Sequence, residues 1–215
     1  MDQRSGQKRA VDYLYPSLDP FDQRVIDVGE GHRVFVEQCG NPAGVPVLVL
    51  HGGPGGGCSP AMRRYFDPSA FRVILFDQRG GGASKPSMDC PGVQLTDAGP
   101  PSDADRDGLI ACLKGYQAQG VDLNQYNAAA TAADVKDMVQ ALGLSKIDLW
   151  GGSYGPRIEA AVITHQPQIV RAAVMDSPWP PEGNWAVGTP EQVSTAVKII
   201  LGKCQAQADC AARHP

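Results

Sequence analysis

The sequence predicts an α/β protein in which a mostly parallel sheet is covered by helices on both faces. Two runs, Pro46–Leu50 and Val73–Leu75, are short and continuously apolar, which is typical of strands buried on both sides. Stretches with helical apolar spacing follow them along the chain. Because strands and helices alternate in this way, a parallel sheet with helical crossovers is favoured.

The remaining elements are predicted from periodicity and from end signals. Arg24–Asp27 and Arg33–Gln38 suggest an antiparallel opening pair. The first helix is indicated by apolar side chains at helical spacing, with Gly120 as its end: Leu109, Cys112, Leu113 and Tyr116. A second helix is predicted to start at a capping box of Thr131 and Asp134 and to end at Gly143.

Two further helices are predicted in the last third of the chain. The first is expected to bury one apolar face, with His165 as a further candidate: Ile158, Ala161 and Val162. The second is predicted to begin at Thr189, with Pro190 in its first turn. Its apolar face comprises Val193, Ala196, Val197, Ile200 and Leu201.

Residues 151–155, Gly-Gly-Ser-Tyr-Gly, fit the pattern Gly-x-Ser-x-Gly. They lie between the apolar run Ile147–Trp150 and a helical stretch that begins at Arg157. A serine on such a strand-to-helix turn is raised above the sheet edge, and this context is the nucleophile elbow of an α/β-hydrolase. We therefore predict Ser153 as the nucleophile and the N–H of Tyr154 as one oxyanion donor. The alternative is a tight turn that holds an inert serine.

A glycine-rich loop, His51–Gly57, follows the first buried strand directly. In an α/β-hydrolase this loop supplies a second oxyanion donor, and Gly53 or Gly52 is placed to give it. Phosphate binding is the rival, but neither the Gly-x-Gly-x-x-Gly register nor a following Gly-Lys-Ser/Thr is present. A flexible surface loop is the other alternative, although it explains neither the preceding strand nor the turn downstream.

These segments resemble the proline iminopeptidase family of α/β-hydrolases. The likeness rests on Tyr15–Gly40, on His51–Gly57, on Phe76–Gly80 and on the Gly-x-Ser-x-Gly segment. From about residue 88 onward the chain looks more like the related tripeptidyl aminopeptidase branch. The resemblance implies a serine peptidase that releases an amino-terminal proline or a short peptide by acyl transfer through Ser153. A carboxylesterase on the same fold and a catalytically incomplete fragment or binding module are the alternatives.

The resemblance also implies a domain organisation that is incomplete at the C-terminus. Residues 1–188 correspond to the N-terminal part of the core domain, and residues 189–215 to the start of a helical cap. In the family, acidic cap residues pair with the free α-amino group of the substrate. Glu182 and Glu191 are candidates for this pairing, although solvated surface charge is the simpler interpretation of both.

The catalytic acid and the general base are unknown from this chain. Family order places both after the serine, beyond residue 215. Asp176 is a weak candidate for the acid because it ends the strand after the elbow. The four histidines, His32, His51, His165 and His214, are expected to be structural or solvated. The 215-residue chain is therefore expected to hydrolyse substrates feebly or not at all.

Composition excludes several other classes of function. The 215 residues are 42% apolar and 20% charged, which suits a globular enzyme, and the net charge of -4 gives no basic footprint for nucleic acid. Apolar runs are of strand length, so no membrane span is predicted. No cofactor is predicted, peptide or small-ester substrates are the expected partners, and the oligomeric state is left open.

Six cysteines leave the cellular location open. The pairs Cys90–Cys112 and Cys204–Cys210 resemble disulfides of secreted members, whereas Cys39 and Cys58 look single. Without a Cys-x-x-Cys motif or a nearby histidine pair, no metal site is predicted. Oxidised pairs would indicate a secreted or periplasmic protein. The charged amino terminus lacks a signal-peptide core, which favours the cytoplasm.

Overall fold

The computed structural model describes residues 14–93, 102–178, 183 and 185–214. The chain divides into two compact units, Met1–Pro178 and Trp179–Pro215. The first unit contains the sheet and the elements around residues 151–155, which are called the serine turn below. The predicted domain boundary at residue 188 and the assignment of residues 189–215 to a cap stay predictions.

The first unit is built on a six-stranded sheet in the order β1-β2-β4-β3-β5-β6. The strands are β1 Asp22–Asp27, β2 Arg33–Gly40, β3 Val45–Leu50, β4 Phe71–Phe76, β5 Ile147–Gly152 and β6 Val170–Asp176. β1, β2 and β4 pair antiparallel, whereas β4, β3, β5 and β6 pair parallel. This confirms the predicted opening hairpin and the mostly parallel sheet. β5, which leads into the serine turn, is flanked by β3 and β6.

Helices cover the sheet on the way to and from β5. They are α1 Asp103–Ala118, α2 Ala128–Ala141 and α3 Gly155–His165, with short 3-10 helices at Pro60–Arg64, Leu123–Gln125 and Pro167–Ile169. Ser102 caps α1 by accepting from the N–H of Asp105. Gly120 and Gly143 follow α1 and α2 with φ of 82° and 68°, so both predicted helix ends are confirmed.

The predicted start of α2 was wrong. Asn127, not Thr131, is the N-cap, and its side chain accepts from the N–H of Ala130 at 2.9 Å. The three alanines that follow Asn127 have high helix propensity and extend the helix upstream. Thr131 then lies inside α2 and donates to the Asn127 carbonyl. Asp134 therefore takes no part in a helix cap. Its side chain is buried and pairs with Arg79.

Both faces of the central strands are buried. On one face, side chains of β3 and β4 pack with α2 and α3: Leu48, Leu50, Ile74, Phe76, Met138, Ile158 and Val162. On the other face a second cluster forms: Cys39, Val47, Val49, Val73 and Leu75, with Phe66 and Trp150 against it. Burial on both faces explains why these strands have a continuous apolar sequence instead of an alternating one.

The end of α3 and the neighbouring edge strand are more exposed. His165, at the end of α3, lies at the surface, so it does not join the buried face for which it was a candidate, and the solvated alternative applies. β6 forms one edge of the sheet, and Val174 and Met175 are 58% and 39% exposed. Glu159, which the sequence did not single out, is buried instead.

The second unit contains α4, Trp185–Gln205, and α5, Ala208–Arg213. α4 begins four residues before the predicted start, and Pro190 lies inside it. A proline this close to the beginning removes one backbone donor, and the helix continues through it. The apolar side chains predicted to form a face, such as Val193 and Ile200, lie on the surface of this unit. Among the described residues, no helix is both long and apolar enough to cross a bilayer.

The structure pairs the cysteines into two disulfides. The sulfur atoms of Cys90 and Cys112 are 2.10 Å apart, and those of Cys204 and Cys210 are 1.99 Å apart. Cys39 and Cys58 are free. Burial raises the pKa of the Cys39 thiol to about 11 and also raises the pKa of Cys58. Both thiols are therefore poor nucleophiles in the folded protein.

Thiol titration tests this pairing. Without reductant, we expect two reactive thiols per chain in denaturant and markedly slower labelling of both in the native protein, because Cys39 and Cys58 are shielded. After reduction, all six should react. Six reactive thiols in denaturant without reductant would contradict the pairing and favour a reducing compartment.

Candidate active site

Ser153 occupies the turn between β5 and α3, where the sequence predicts it. Its φ is +60°, a left-handed conformation that few non-glycine residues adopt, and its side chain is exposed. The Ser153 N–H donates to the Asp176 carbonyl at 3.1 Å. None of the described side chains forms a hydrogen bond with the Ser153 hydroxyl. The backbone thus holds a strained, accessible serine, as an attacking residue requires.

Close backbone packing fixes this turn. A Cβ on Gly155 would overlap the carbonyl oxygen of Leu50 in β3, and a Cβ on Gly151 would lie 2.7 Å from the carbonyl carbon of Gly155. Real side chains essentially never show such contacts. The glycines at both positions therefore let the first turn of α3 rest directly on β3 and β5.

Backbone N–H groups border Ser153 from two sides. Tyr154 immediately precedes α3, whose N-terminus favours negative charge. On the other side is the glycine-rich loop: a Cβ on Gly52 would lie 2.9 Å from the Ser153 Cβ and 3.3 Å from its Oγ. Gly53 has a φ of +120°, which a side chain would strain. This arrangement can stabilise an oxyanion next to the serine, although the donor roles of Tyr154, Gly53 and Gly52 stay predictions.

The carboxylate of Asp77 ties the glycine-rich loop to the loop after β4. Asp77 is buried, and its Oδ1 accepts from the N–H of Cys58 at 2.7 Å. Its Oδ2 accepts from the N–H of Ala83 at 2.8 Å, and its carbonyl accepts from the Ser84 hydroxyl. One side chain therefore holds the ends of two loops that meet beside Ser153.

His51 has a structural role, as expected. It is buried, and burial lowers its pKa, so the imidazole is neutral near pH 7. Its Nδ1 lies 2.7 Å from the Gly52 carbonyl oxygen, and the Gln78 N–H donates to its Nε2 at 3.3 Å. The Gln78 side chain also donates to the His51 carbonyl. With Nδ1 as donor and Nε2 as acceptor, His51 fixes Gly52 and takes no part in a bond to Ser153.

Arg79 and Asp134 form a buried ion pair that sequence reasoning missed. The guanidinium donates to both carboxylate oxygens, at 2.8 and 2.6 Å, and also to the carbonyl of Gln125 at 2.9 Å. Burial raises the pKa of Asp134, and the Arg79 charge opposes that shift. The only sequence signal was a lone aspartate within the apolar stripe of α2. The pair anchors the loop after β4 to α2.

A cavity of about 250 Å³ lies beside the serine turn. Its walls are the glycine-rich loop, the loop after β4, the start of α2 and the residue after Ser153: Pro54, Gly55, Gly80, Met88, Tyr126, Thr131 and Tyr154 among others. The Tyr126 hydroxyl is buried and has no partner among the described residues. The cavity is a concave, largely apolar space next to the predicted nucleophile, as small-molecule sites commonly are.

In the first unit, the side chains of the other candidate residues form no hydrogen bond with Ser153 among the described residues. The Asp176 side chain is exposed and accepts from the Ser177 hydroxyl at 3.0 Å. His32 is buried and packs edge-on against Tyr126, with ring centroids 5.4 Å apart, whereas His214 follows α5 in the second unit. Glu191 is exposed, and Glu182 lies outside the described residues. Within the described part of the first unit, no imidazole is hydrogen-bonded to Ser153.

The geometry is that of an α/β-hydrolase, and comparison with known proteins gives the same class. A family model described as "alpha/beta hydrolase fold" matches residues 45–210. The chain therefore belongs to the alpha/beta hydrolase fold family.

Its curated relatives include proline iminopeptidases. One from Xylella fastidiosa (strain Temecula1) is 35% identical over 155 residues, which are 72% of this chain and 39% of that protein. Another from Xanthomonas citri is 54% identical over 76 residues, 35% of this chain and 24% of that protein. The chain thus spans about two fifths of the length of the first relatives it matches.

Solved structures agree on the fold. A proline iminopeptidase-related protein of Thermus thermophilus is 25% identical with a TM-score of 0.51, over 74% of this chain and 45% of that one. An epoxide hydrolase of Vigna radiata, 19% identical, has a TM-score of 0.51 over 78% of this chain and 43% of that one. The second likeness shows the fold alone.

Replacing Gly52 by alanine is expected to disturb the serine turn. The new Cβ would overlap Ser153, so either the loop or the turn must move, at a cost of about 1–3 kcal/mol for overpacking. Gly56→Ala is the matched control, because its Cβ would meet atoms no closer than 3.8 Å. Denaturant unfolding of both variants measures the difference. Equal free energies of unfolding would mean that Gly52 does not rest against Ser153.

Proposed function

We propose that the protein is a serine peptidase of the α/β-hydrolase type that releases an amino-terminal residue, proline foremost, or a short peptide. The observation that carries the proposal is Ser153, exposed at a positive φ between a strand and a helix, with the glycine-rich loop against it. The names of the curated relatives support the choice of substrate. This chain spans only about two fifths of the first relatives, so the activity has to be tested on a longer protein.

In the proposed reaction, the Ser153 Oγ attacks the carbonyl carbon of the amino-terminal residue, and a base accepts the hydroxyl proton. The N–H groups of Tyr154 and Gly53, with Gly52 as the alternative, stabilise the oxyanion. The intermediate collapses, the C–N bond breaks, and the leaving amine takes the proton. Water then attacks the acyl-enzyme by the same route, which releases the acid and restores the Ser153 hydroxyl.

The base and the acid are proposed to lie beyond residue 215. None of the described histidines of the first unit is bonded to Ser153, and none of them contacts the Asp176 side chain through a hydrogen bond, so Asp176 stays a weak candidate. The second unit is proposed as the start of a cap. Acidic cap residues would pair with the substrate's α-amino group, because a buried ammonium needs a carboxylate partner.

A carboxylesterase is the second candidate, because the same turn and loop serve ester chemistry and the cavity beside Ser153 is largely apolar. The two candidates differ in the group that the site must recognise. A peptidase of this kind needs a free amino terminus on its substrate, whereas an esterase does not.

The experiment uses an extended enzyme, defined as residues 1–178 of this chain continued by the C-terminal part of the Xylella fastidiosa relative. Proline p-nitroanilide, its N-acetylated form, an Ala-Ala-Pro anilide and a short-chain nitrophenyl ester are assayed beside Ser153→Ala. We expect serine-dependent hydrolysis of an anilide with a free amino terminus and little hydrolysis of the blocked one. Activity on the ester alone would favour the esterase, and no serine-dependent activity would favour the binding module.

The same assays apply to the 215-residue chain. Without a base, we expect at most the residual acceleration of about 10³–10⁴ over water that an oxyanion hole and binding provide. Serine-dependent turnover at about 1 per second or faster, an ordinary enzymatic rate, would show that the chain holds its own base. His214 would then be the first residue to replace.

A further inference from the structure

Glu159 is the least expected side chain near the serine turn. It lies in the second turn of α3, six residues after Ser153, and its side chain faces the sheet beneath the turn. It is fully buried, with 0% relative exposure. The neighbouring residues Ile158 and Val162 belong to the apolar core, so a carboxyl group stands where the fold otherwise places hydrocarbon.

The Glu159 carboxyl packs against Gly151 at the end of β5. A Cβ on Gly151 would lie 2.9 Å from the carboxyl carbon, which shows how directly the group fills the space above the glycine. Neither carboxyl oxygen has a hydrogen-bond partner of normal geometry among the described residues. Gly151 is two residues before Ser153, so any movement of Glu159 acts on the strand end that carries the turn.

Among the described residues, the elements packed around Glu159 offer it no counter-charge. On α2, Asp134 is paired with Arg79, and Lys136 lies near Asp137. On the flanking strands, Asp148 and Arg171 pair with each other, and Asp176 is exposed at the end of β6. β3 has no charged residue. On α3 itself, Arg157 is half-buried and His165 is exposed.

We propose that Glu159 is a positioning residue for Ser153: its neutral carboxyl allows α3 to rest on Gly151, and its ionisation loosens that contact and the serine turn with it. The reason is desolvation, since a carboxylate without a partner at this site must recruit water or leave it. Either response separates α3 from β5. The catalytic consequence rests on the proposed function, but the structural effect does not.

Burial moves the pKa of Glu159 towards neutral pH. Desolvation raises its pKa from 4.5 to about 7, and the Gly151 backbone opposes that increase. The pKa of Glu159 is higher in the folded state than in the unfolded state. The neutral carboxyl therefore contributes fully to the stability of the fold below pH 4.5, and this stabilisation is lost as the pH rises to 7. A pKa difference of 1 between the folded and unfolded states corresponds to a factor of ten, so the folding equilibrium constant falls by about two orders of magnitude across this window.

The test compares the 215-residue chain with Glu159→Gln, which keeps the shape and cannot ionise, and with Glu191→Gln, an exposed control. Denaturant unfolding from about pH 4.5 to about pH 9 and hydrogen exchange of the peptide spanning residues 149–160 are measured. Above pH 7 we expect Glu159→Gln to gain about 100-fold in the folding equilibrium constant relative to the original chain. Its peptide should also become more protected relative to the original, whereas Glu191→Gln should match the original throughout.

Two outcomes would overturn the proposal. A stability difference between Glu159→Gln and the original chain that is constant with pH would show that Glu159 does not titrate in this range. A pH-dependent difference without any change in exchange of residues 149–160 would show a buried acid that does not act on the turn. If Glu159→Gln does not fold, Glu159→Met gives the same comparison. None of these readouts needs catalysis, so they are independent of the proposed function.

Discussion

Arg79→Ala is expected to lower the free energy of unfolding by about 3–5 kcal/mol, the usual cost of breaking a buried ion pair. The replacement leaves the Asp134 carboxylate buried without its two donors, and it also frees the carbonyl of Gln125. Because the pair joins the loop after β4 to α2, we expect the cavity beside Ser153 to open as well. Denaturant unfolding of the 215-residue chain measures the loss.

An exposed pair in the same chain serves as the control. Arg106 and Asp103 in α1 form an ion pair with side chains 62% and 87% exposed, so Arg106→Ala is expected to cost at most a few tenths of a kcal/mol. Replacing both Arg79 and Asp134 by apolar residues should recover much of the loss, because no unpaired charge remains. A loss below about 1 kcal/mol for Arg79→Ala would contradict the structural role of the pair.

Ser153→Ala is expected to reduce kcat of the extended enzyme by about 10⁶-fold, as removal of a serine nucleophile does elsewhere. The variant lacks the attacking oxygen, while the loop and the turn proposed to stabilise the oxyanion are retained. Unfolding free energy should change little, because the Ser153 side chain is exposed and forms no hydrogen bond with the described residues. Steady-state kinetics on proline p-nitroanilide gives the comparison.

Ser177→Ala is a closely matched control. Ser177 is also exposed, has a φ of +58° and follows the neighbouring strand β6. Its replacement should leave kcat within a few-fold of the original enzyme, since its hydroxyl donates to Asp176 and lies outside the proposed reaction. An equal loss in both variants would mean that strain at this sheet edge matters more than the identity of the nucleophile.

The fold and the serine turn could be predicted because their signals are local. Continuous apolar runs indicated β3 and β4, and the glycines around Ser153 indicated a turn too crowded for side chains. Helix ends at Gly120 and Gly143 followed from the same kind of signal. Boundaries were less certain where several residues could begin a helix, and the starts of α2 and α4 were both placed too late.

The interior polar contacts could not be predicted, because they join residues far apart in sequence. Arg79 meets Asp134 across 55 positions, and Asp77 meets Cys58 across 19. No local pattern distinguishes these aspartates from surface ones until the sheet order is known. Glu159 is harder still, since a single glutamate in an apolar helix face is normally assigned to solvent.

The nucleophile can be identified most directly by sulfonylating Ser153, a reaction in which its Oγ displaces fluoride from a sulfonyl fluoride. The extended enzyme is mixed with a serine-directed sulfonyl fluoride, digested, and analysed by mass spectrometry, with Ser153→Ala treated in parallel. We expect one adduct per chain, on the peptide that contains Ser153, with loss of activity in proportion to labelling and no adduct in the variant. An adduct on another residue that abolishes activity, or full activity of the Ser153→Ala enzyme, would contradict the assignment of Ser153 as the nucleophile.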